Sequence, residues 1–386
     1  MKKLILIVIL IIGIMISNIE KKENIEDIEE TKAIFISYIE LNKYVKNTNY
    51  EISKNNINKI ISNVKSLQLN TIILQVRAAS DAIYNSKIFP KSLYLVNNEN
   101  DEFYDVLDYF IKQSHKNNIK VIAWINPYRV RTTADTSTIT QNNPAYKYLN
   151  TDTIYIENGV FYNPSKKEVT ELIVNGVEEV LEYDIDGLLF DDYFYPNKKI
   201  DENDYQNYLK HNDYQNEENY RLEVINNMIK QVYEKCKNKN IPFGISPDGN
   251  IDNNYNKHYA DVATWMRLDG YIDFIMPQIY YGFYNSSRAF LNTLNEWENL
   301  IKKDNIELYV ALAFYKVGTY DKYAKSGDKE WLNNDNIIMK EIILSRNSKN
   351  YKGFSLFRYD NIFDEDVFTN NSIKEIENLK KIINNY

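Results

Sequence analysis

Cysteine, histidine, glycine and proline are all sparse in this chain. Of 386 residues one is cysteine, three are histidine, 11 are glycine and eight are proline. The single thiol, Cys236, excludes an intramolecular disulfide and any cysteine metal cluster. It sits in NNMIKQVYEKCKNK, whose apolar spacing predicts a helix and a structural role. The histidines His115, His211 and His258 are scattered and lack ligand spacing, so no metal and no cofactor are expected. A divalent ion held by Asp191, Asp192 and Asp248 would resemble a phosphodiesterase or deacetylase site, but such sites usually recruit histidines too. No glycine-rich phosphate loop accompanies any strand-like run, which counts against a doubly wound nucleotide fold. Nor is there a long Lys/Arg block. With 46 basic and 54 acidic residues the net charge is -8, so a nucleic-acid partner is not expected.

What is present begins with MKKLILIVILIIGIMIS, a short positive segment and an apolar run from Leu4 to Ile16. This has the form of a secretory segment and is shorter than the roughly 20 residues of a membrane span. Residues 1–17 therefore read as a signal peptide or an uncleaved membrane anchor. A protein secreted, or anchored at the outer face of the cytoplasmic membrane and associated with the cell wall, is expected. A polar connector follows at 18–30, and 31–386 read as one domain. The apolar fraction of 44% suffices for a substantial core.

Eight β-branched or aromatic runs recur at 32–39, 70–76, 119–125, 185–190, 241–246, 271–277, 306–314 and 352–357. Near-continuous apolarity is expected where both faces of a parallel strand are covered. Segments at 57–67, 102–118, 166–183, 219–237, 289–303 and 335–345 repeat apolar residues at helical spacing. Eight alternations predict an α/β (β/α)8 TIM barrel, with the doubly wound open sheet as the alternative. The stretches 126–168 and 193–218, after strands three and four, are longer than ordinary connections, and long loops at one end of a barrel usually build its cleft.

Several runs end in polar residues that a barrel would gather on one rim: Arg77, Asn126, Tyr128 and Arg129, Asp191 and Asp192, Asp248, then Gln278, Tyr280 and Tyr281. Glycoside hydrolysis needs an acid for the leaving oxygen and a second group for water or for the positive sugar centre. Two carboxylates in one apolar cleft separate in pKa, because a second nearby charge is disfavoured. Asp191 and Asp192 supply such groups, yet neighbours on a strand point to opposite faces. Either one is the acid, with the other bonding it or contacting substrate. Asp248 is a second carboxylate or a turn residue, since D-G is a common turn signature. Arg77, Asn126, Arg129, Gln278 and Tyr280 suit hydroxyl, acetamido or carboxylate groups, and Tyr128, Tyr193 and Tyr281 suit sugar faces. Asp186 starts its run and is expected to be structural.

Seven segments carry a resemblance: KAIFISYIE at 32–40, TIILQVRAASDAIYNSKIFP at 71–90, KVIAWINPYRV at 120–130, DIDGLLFDDYFYP at 184–196, GISPDGN at 244–250, DFIMPQIYYGF at 273–283 and GFSLFRYDN at 353–361. In this order they resemble the family-10-like glycosyl-hydrolase-like proteins of bacterial envelopes, the YngK-type group. The resemblance implies a (β/α)8 barrel with glycosidase activity at the carboxyl ends of its strands. By motif it maps the family's aspartates to Asp191 and Asp192, and its strand-six polar pair to Gln278 and Tyr280. It implies a polysaccharide partner, peptidoglycan glycan strands freed of their peptides. The chain departs from many relatives in having Leu189 where histidine is common, Asp248-Gly249 where an aromatic follows the SP element, and Tyr281 where tryptophan is usual. A carbohydrate-binding envelope protein without turnover and a hydrolase of another secreted polysaccharide are the alternative readings. The pattern leaves the oligomeric state open.

Overall fold

The structure is a computed structural model that describes residues 29–46, 49–211 and 216–383. The expected signal or anchor at 1–17 and most of the connector lie outside the described residues. The chain divides into two units, Met1–Glu30 and Thr31–Tyr386, and the description below concerns the second.

All eight apolar runs form strands: Thr31–Ile36, Thr71–Arg77, Lys120–Ile125, Gly187–Phe190, Phe243–Ile245, Phe274–Ile275, Glu307–Leu312 and Tyr351–Leu356. Each pairs in parallel with its chain neighbours, and the first closes on the eighth, Ala33 opposite Ser355. The second strand is buried over its whole length, the cause of its unbroken apolarity. Alternate residues fill the interior: Ala33 and Phe35, Ile73, Ile122 and Trp124, Leu189, Phe274 and Met276, and Ala311 form one cluster. The opposite faces pack beneath the helices in a second, larger cluster. Gly244 belongs to the interior set, where a Cβ would stand 2.2 Å from the Phe274 ring, so the barrel admits that phenyl only because the facing strand has no side chain.

The outer layer follows the helical spacing. Its main helices are Tyr50–Ser66, Val106–His115, Lys167–Val180, Glu217–Asn238, Phe290–Leu300, Ile337–Ser345 and Asn370–Ile383. Asp105 starts the second of these by accepting the Asp108 N–H at 3.0 Å. Among the described residues no helix is long and apolar enough to cross a membrane.

The two long connections carry structure of their own. The connection after strand three folds into a three-stranded antiparallel sheet, Arg129–Arg131, Val160–Tyr162 and Ile154–Ile156, which the periodicity does not reveal. Buried Glu99 pins it, pairing with Arg131 and accepting Asn143 Nδ2 at 2.8 Å. The connection after strand four holds a 3-10 turn, Lys198–Asp201, and a helix, Glu202–Leu209. Asp201 there receives Arg221 through two nitrogens, at 2.8 and 2.9 Å, and the Tyr195 hydroxyl at 2.6 Å.

Candidate active site

Strand four ends at Phe190, and the interior parity of Gly187 and Leu189 carries on to Asp191. Asp191 is 3% exposed and held by strand three: Trp124 Nε1 donates to its Oδ2 at 2.9 Å, and Asn126 Nδ2 reaches both oxygens at 3.2 and 3.0 Å. Burial pushes this carboxyl up, against the Arg129 charge and these donors, which favour the ionised form.

Asp192 has the opposite parity, but the strand has ended. The chain turns there, with Phe194 N–H donating to the Asp192 carbonyl at 3.2 Å. The carboxyl of Asp192 thereby comes into the field of both Asp191 and Asp248 and accepts from the Gln278 side chain. It is half-buried. Desolvation, then the two neighbouring carboxylates, push it up to about 7. Two adjacent aspartates thus reach one cleft by different routes, one along the pleat and one around the turn.

Asp248 shapes a turn and at the same time brings its carboxylate to the cleft. Its oxygens accept Asn250 N–H and Asn253 Nδ2, each at 2.8 Å, which shapes the turn into the helix Ile251–Asn256. The Tyr281 hydroxyl also reaches it at 3.4 Å, and its charge acts on Asp192. Gln278 is set by a bond from its Nε2 to Ser246 O at 2.9 Å. The Tyr280 ring meets Tyr315 edge-on at 5.9 Å and lies 5.8 Å from Phe357. Burial first, then Tyr315 and the aspartates, raise its hydroxyl well above the usual phenol range. Tyr193 is half exposed beneath Arg129, whose guanidinium carbon is 5.0 Å from the ring centroid. The cleft therefore gathers Asn126, Arg129, Asp191, Asp192, Tyr193, Asp248, Gln278, Tyr280 and Tyr281.

Arg77 and Tyr128 do not join them. The register between strands two and three slips after Gln75, so that Arg77 stands opposite Ile125 instead of Asn126. That bulge turns Arg77 to the outer face. There its guanidinium covers Phe89 at 4.1 Å, and Nη1 lies where a Cβ on Gly176 would be. Arg77 is a packing residue between barrel and helix. Tyr128 is 1% exposed within the outer core, and its hydroxyl has no partner among the described residues, so it is closed to a sugar. Asp186 holds the opposite end of the barrel, accepting Val121 N–H at 2.7 Å and meeting His115 Nε2 at 2.8 Å.

Trp124 and Tyr38 went unassigned in the sequence reading. Trp124 is legible only as an aromatic at a strand end; its indole N–H aimed at Asp191 needs the barrel's curvature. Tyr38 stands at the rim after strand one, 5.7 Å from the Arg129 guanidinium. His258 lies near Asp248, and burial pushes it down. The described residues include no group of three or more His, Cys, Asp or Glu placed to hold a metal ion.

Residues 30–333 match the family described as Glycosyl hydrolase-like 10. The chain belongs to that family. It is 30% identical to Glycosyl hydrolase YngK of Bacillus subtilis (strain 168), over 90% of this chain and 71% of that protein. Glycosyl hydrolase DigH of Escherichia coli (strain K12) is likewise 30% identical, over 78% of this chain and 74% of its own length. Among solved structures, the glycoside hydrolase domain of PgaB (BpsB) from Bordetella bronchiseptica is similar at a TM-score of 0.60 and 11% identity, covering 92% of this chain and 99% of that one. The endo-1,4-beta-mannanase of Rhizomucor miehei is similar at 0.53 and 13%, covering 92% and 95%. At such identities these two likenesses concern the fold, a barrel that glycoside hydrolases use, and membership of the family rests on the sequence match.

Proposed function

We propose that the chain is an exported glycoside hydrolase of bacterial cell-wall glycan, acting on peptidoglycan strands freed of their peptides. The observation that carries the hydrolase reading is the unequal pair Asp191 and Asp192. Asp192, pushed up to about 7, holds a proton near neutrality and faces the cleft. Asp191 carries the Trp124 and Asn126 donors and the field of Arg129. In this reading Asp192 protonates the glycosidic oxygen as its bond to the anomeric carbon breaks, and ionised Asp191 faces the positive charge left on the sugar. Where the sugar is N-acetylated, its acetamido oxygen bonds the anomeric carbon, oriented by Asp191 and Tyr280, and water later opens that ring. The leader-like residues 1–17 and the family's envelope relatives support the choice of wall glycan.

The test is mass spectrometry of products after incubation of the full chain with peptide-free glycan strands, intact peptidoglycan and chitin oligomers. Short saccharides from the peptide-free strands, lost in Asp192→Asn, are expected. Folded protein that binds strands but releases no saccharide would instead make this a glycan-binding protein. The first-formed anomer, read by NMR, should be retained, and an inverted anomer would exclude the acetamido route.

A further inference from the structure

Among the described residues, Arg129 is a buried cation that forms no ion pair with a carboxylate. Of the other well-buried guanidinium groups at this end of the barrel, Arg131 pairs with Glu99 and Arg221 with Asp201, while Arg77, which forms no ion pair among the described residues either, is sealed against Phe89 and Gly176 on the outer face, away from the cleft that Arg129 faces. Arg129 is 8% exposed, and its one hydrogen bond to the described residues runs from Nε to the Ala78 carbonyl at 2.8 Å. That bond fixes the plane of the fork and leaves both terminal nitrogens without an acceptor among the described residues, although neither is fully sealed from the cleft. The rings of Tyr193 and Tyr38 lie 5.0 and 5.7 Å from the guanidinium carbon. Tyr38 is backed by Tyr94 at 4.5 Å. Asp191 acts on Arg129 through its field but makes no ion pair with it.

A desolvated charge with no direct ion pair is costly even in the field of Asp191, and a planar fork with two N–H edges left for a ligand matches a carboxylate in two-point fashion. An acetamide or hydroxyl would satisfy the hydrogen bonds and leave the charge without a direct ionic partner. We infer that Arg129, between Tyr38 and Tyr193, is a subsite for a sugar-borne carboxylate beside the reacting bond, and that it selects glycan whose acid groups are free. This rests on the hydrolase reading above. In wall glycan the acid is the lactyl carboxylate of the muramic sugar, which becomes an amide where a peptide is attached. Arg129 therefore supplies a reason for peptide-free strands to be the preferred substrate.

The experiment compares two preparations of one peptide-free glycan, native and with its carboxylates converted to methylamides, as substrates of the full chain. We expect kcat/KM to favour the free acid by about tenfold or more, as a charge-assisted pair would give. The preference should lie mainly in KM and weaken with added salt. In Arg129→Gln the two substrates should converge, and Arg129→Lys should retain part of the ratio because it keeps the charge but loses the fork. Equal rates on both substrates by the unmodified protein would overturn the subsite while leaving the hydrolase reading intact. If neither substrate is cleaved, the hydrolase reading fails, and equilibrium binding of the two glycans decides the subsite in the same way. Because the unmodified protein alone gives the first comparison, poor folding of a variant does not remove the test.

Discussion

Trp124 Nε1 donates to Asp191 Oδ2 at 2.9 Å, a bond from strand three to the end of strand four inside the barrel mouth. Trp124 is itself fixed by an edge-on contact with Phe35 at 5.4 Å. Replacing it by Phe keeps a ring at this place and removes only the donor. Without that donor the Asp191 carboxyl should rise further, moving the acidic limb of the pH–rate profile to higher pH. A hydrogen bond to a charged group contributes about 1.5–3 kcal/mol, so kcat/KM should fall roughly ten- to a hundredfold. An unshifted acidic limb would show that Trp124 acts through packing alone.

Asp192→Asn should fold normally, because it removes a carboxylate crowded by Asp191 and Asp248. A positioned general acid contributes about 10²–10⁴ in rate, and saccharide release should fall by that order. Tyr281→Phe, which loses only the 3.4 Å contact with Asp248, should reduce activity far less.

The position of Asp192 also fixes a direction of pH dependence. As the proposed proton donor it must be protonated, so activity should decline as pH rises through about 7. Its folded pKa lies above the unfolded carboxylate value of about 3.9, so between those two pH values the folded state holds a proton that the unfolded chain has lost. This contribution to stability is full below the unfolded value and is lost as pH rises through the folded one. Thermal melts from pH 4 to 8 should show a downward slope that Asp192→Asn reduces.

A second buried acid pair lies away from the cleft. Glu341 has neither oxygen bonded, and burial followed by the charges of Glu375 and Glu330 raises it well above the usual range. Glu375, pushed to about 7 by burial, accepts Met339 N–H at 2.8 Å at the start of the helix Ile337–Ser345. Glu341→Gln should change the melting temperature little at pH 5 and raise it by a few degrees at pH 8, where folding otherwise has to protonate the acid. Calorimetry at the two values tests this.

The loop after strand four depends on the pair Arg221 and Asp201, 3% and 0% exposed at the side chain. Arg221→Met leaves the Asp201 carboxylate buried without its cation and should cost about 3–5 kcal/mol in denaturant unfolding. A loss below about 1 kcal/mol would place this pair with ordinary surface bridges.

The barrel was legible because parallel strands covered on both faces leave long apolar runs, and all eight such runs became strands. The site was legible in its strand ends, through Asp191, Asp192, Asn126 and Gln278. Arg77 was misplaced because a bulge changes the parity of one strand end, and nothing in LQVRA marks the slip. Tyr128 was misplaced because a loop tyrosine reads alike whether it faces a sugar or the core. Strand parity alone points Asp191 inward and Asp192 away, and only the turn after Phe190 delivers Asp192 to the cleft as well. The antiparallel sheet carrying Arg129 stayed hidden because its three-residue strands are too short for any period to register.

That small sheet has an evolutionary consequence. Arg129 is mounted on an appendage after strand three that is held by its own antiparallel backbone pairing and by Glu99, whereas Asp191 directly follows a strand of the barrel wall. On the proposed assignment, descendants could redraw the appendage and so exchange an acid sugar for a neutral one, while inheriting Asp191 and Asp192 unchanged.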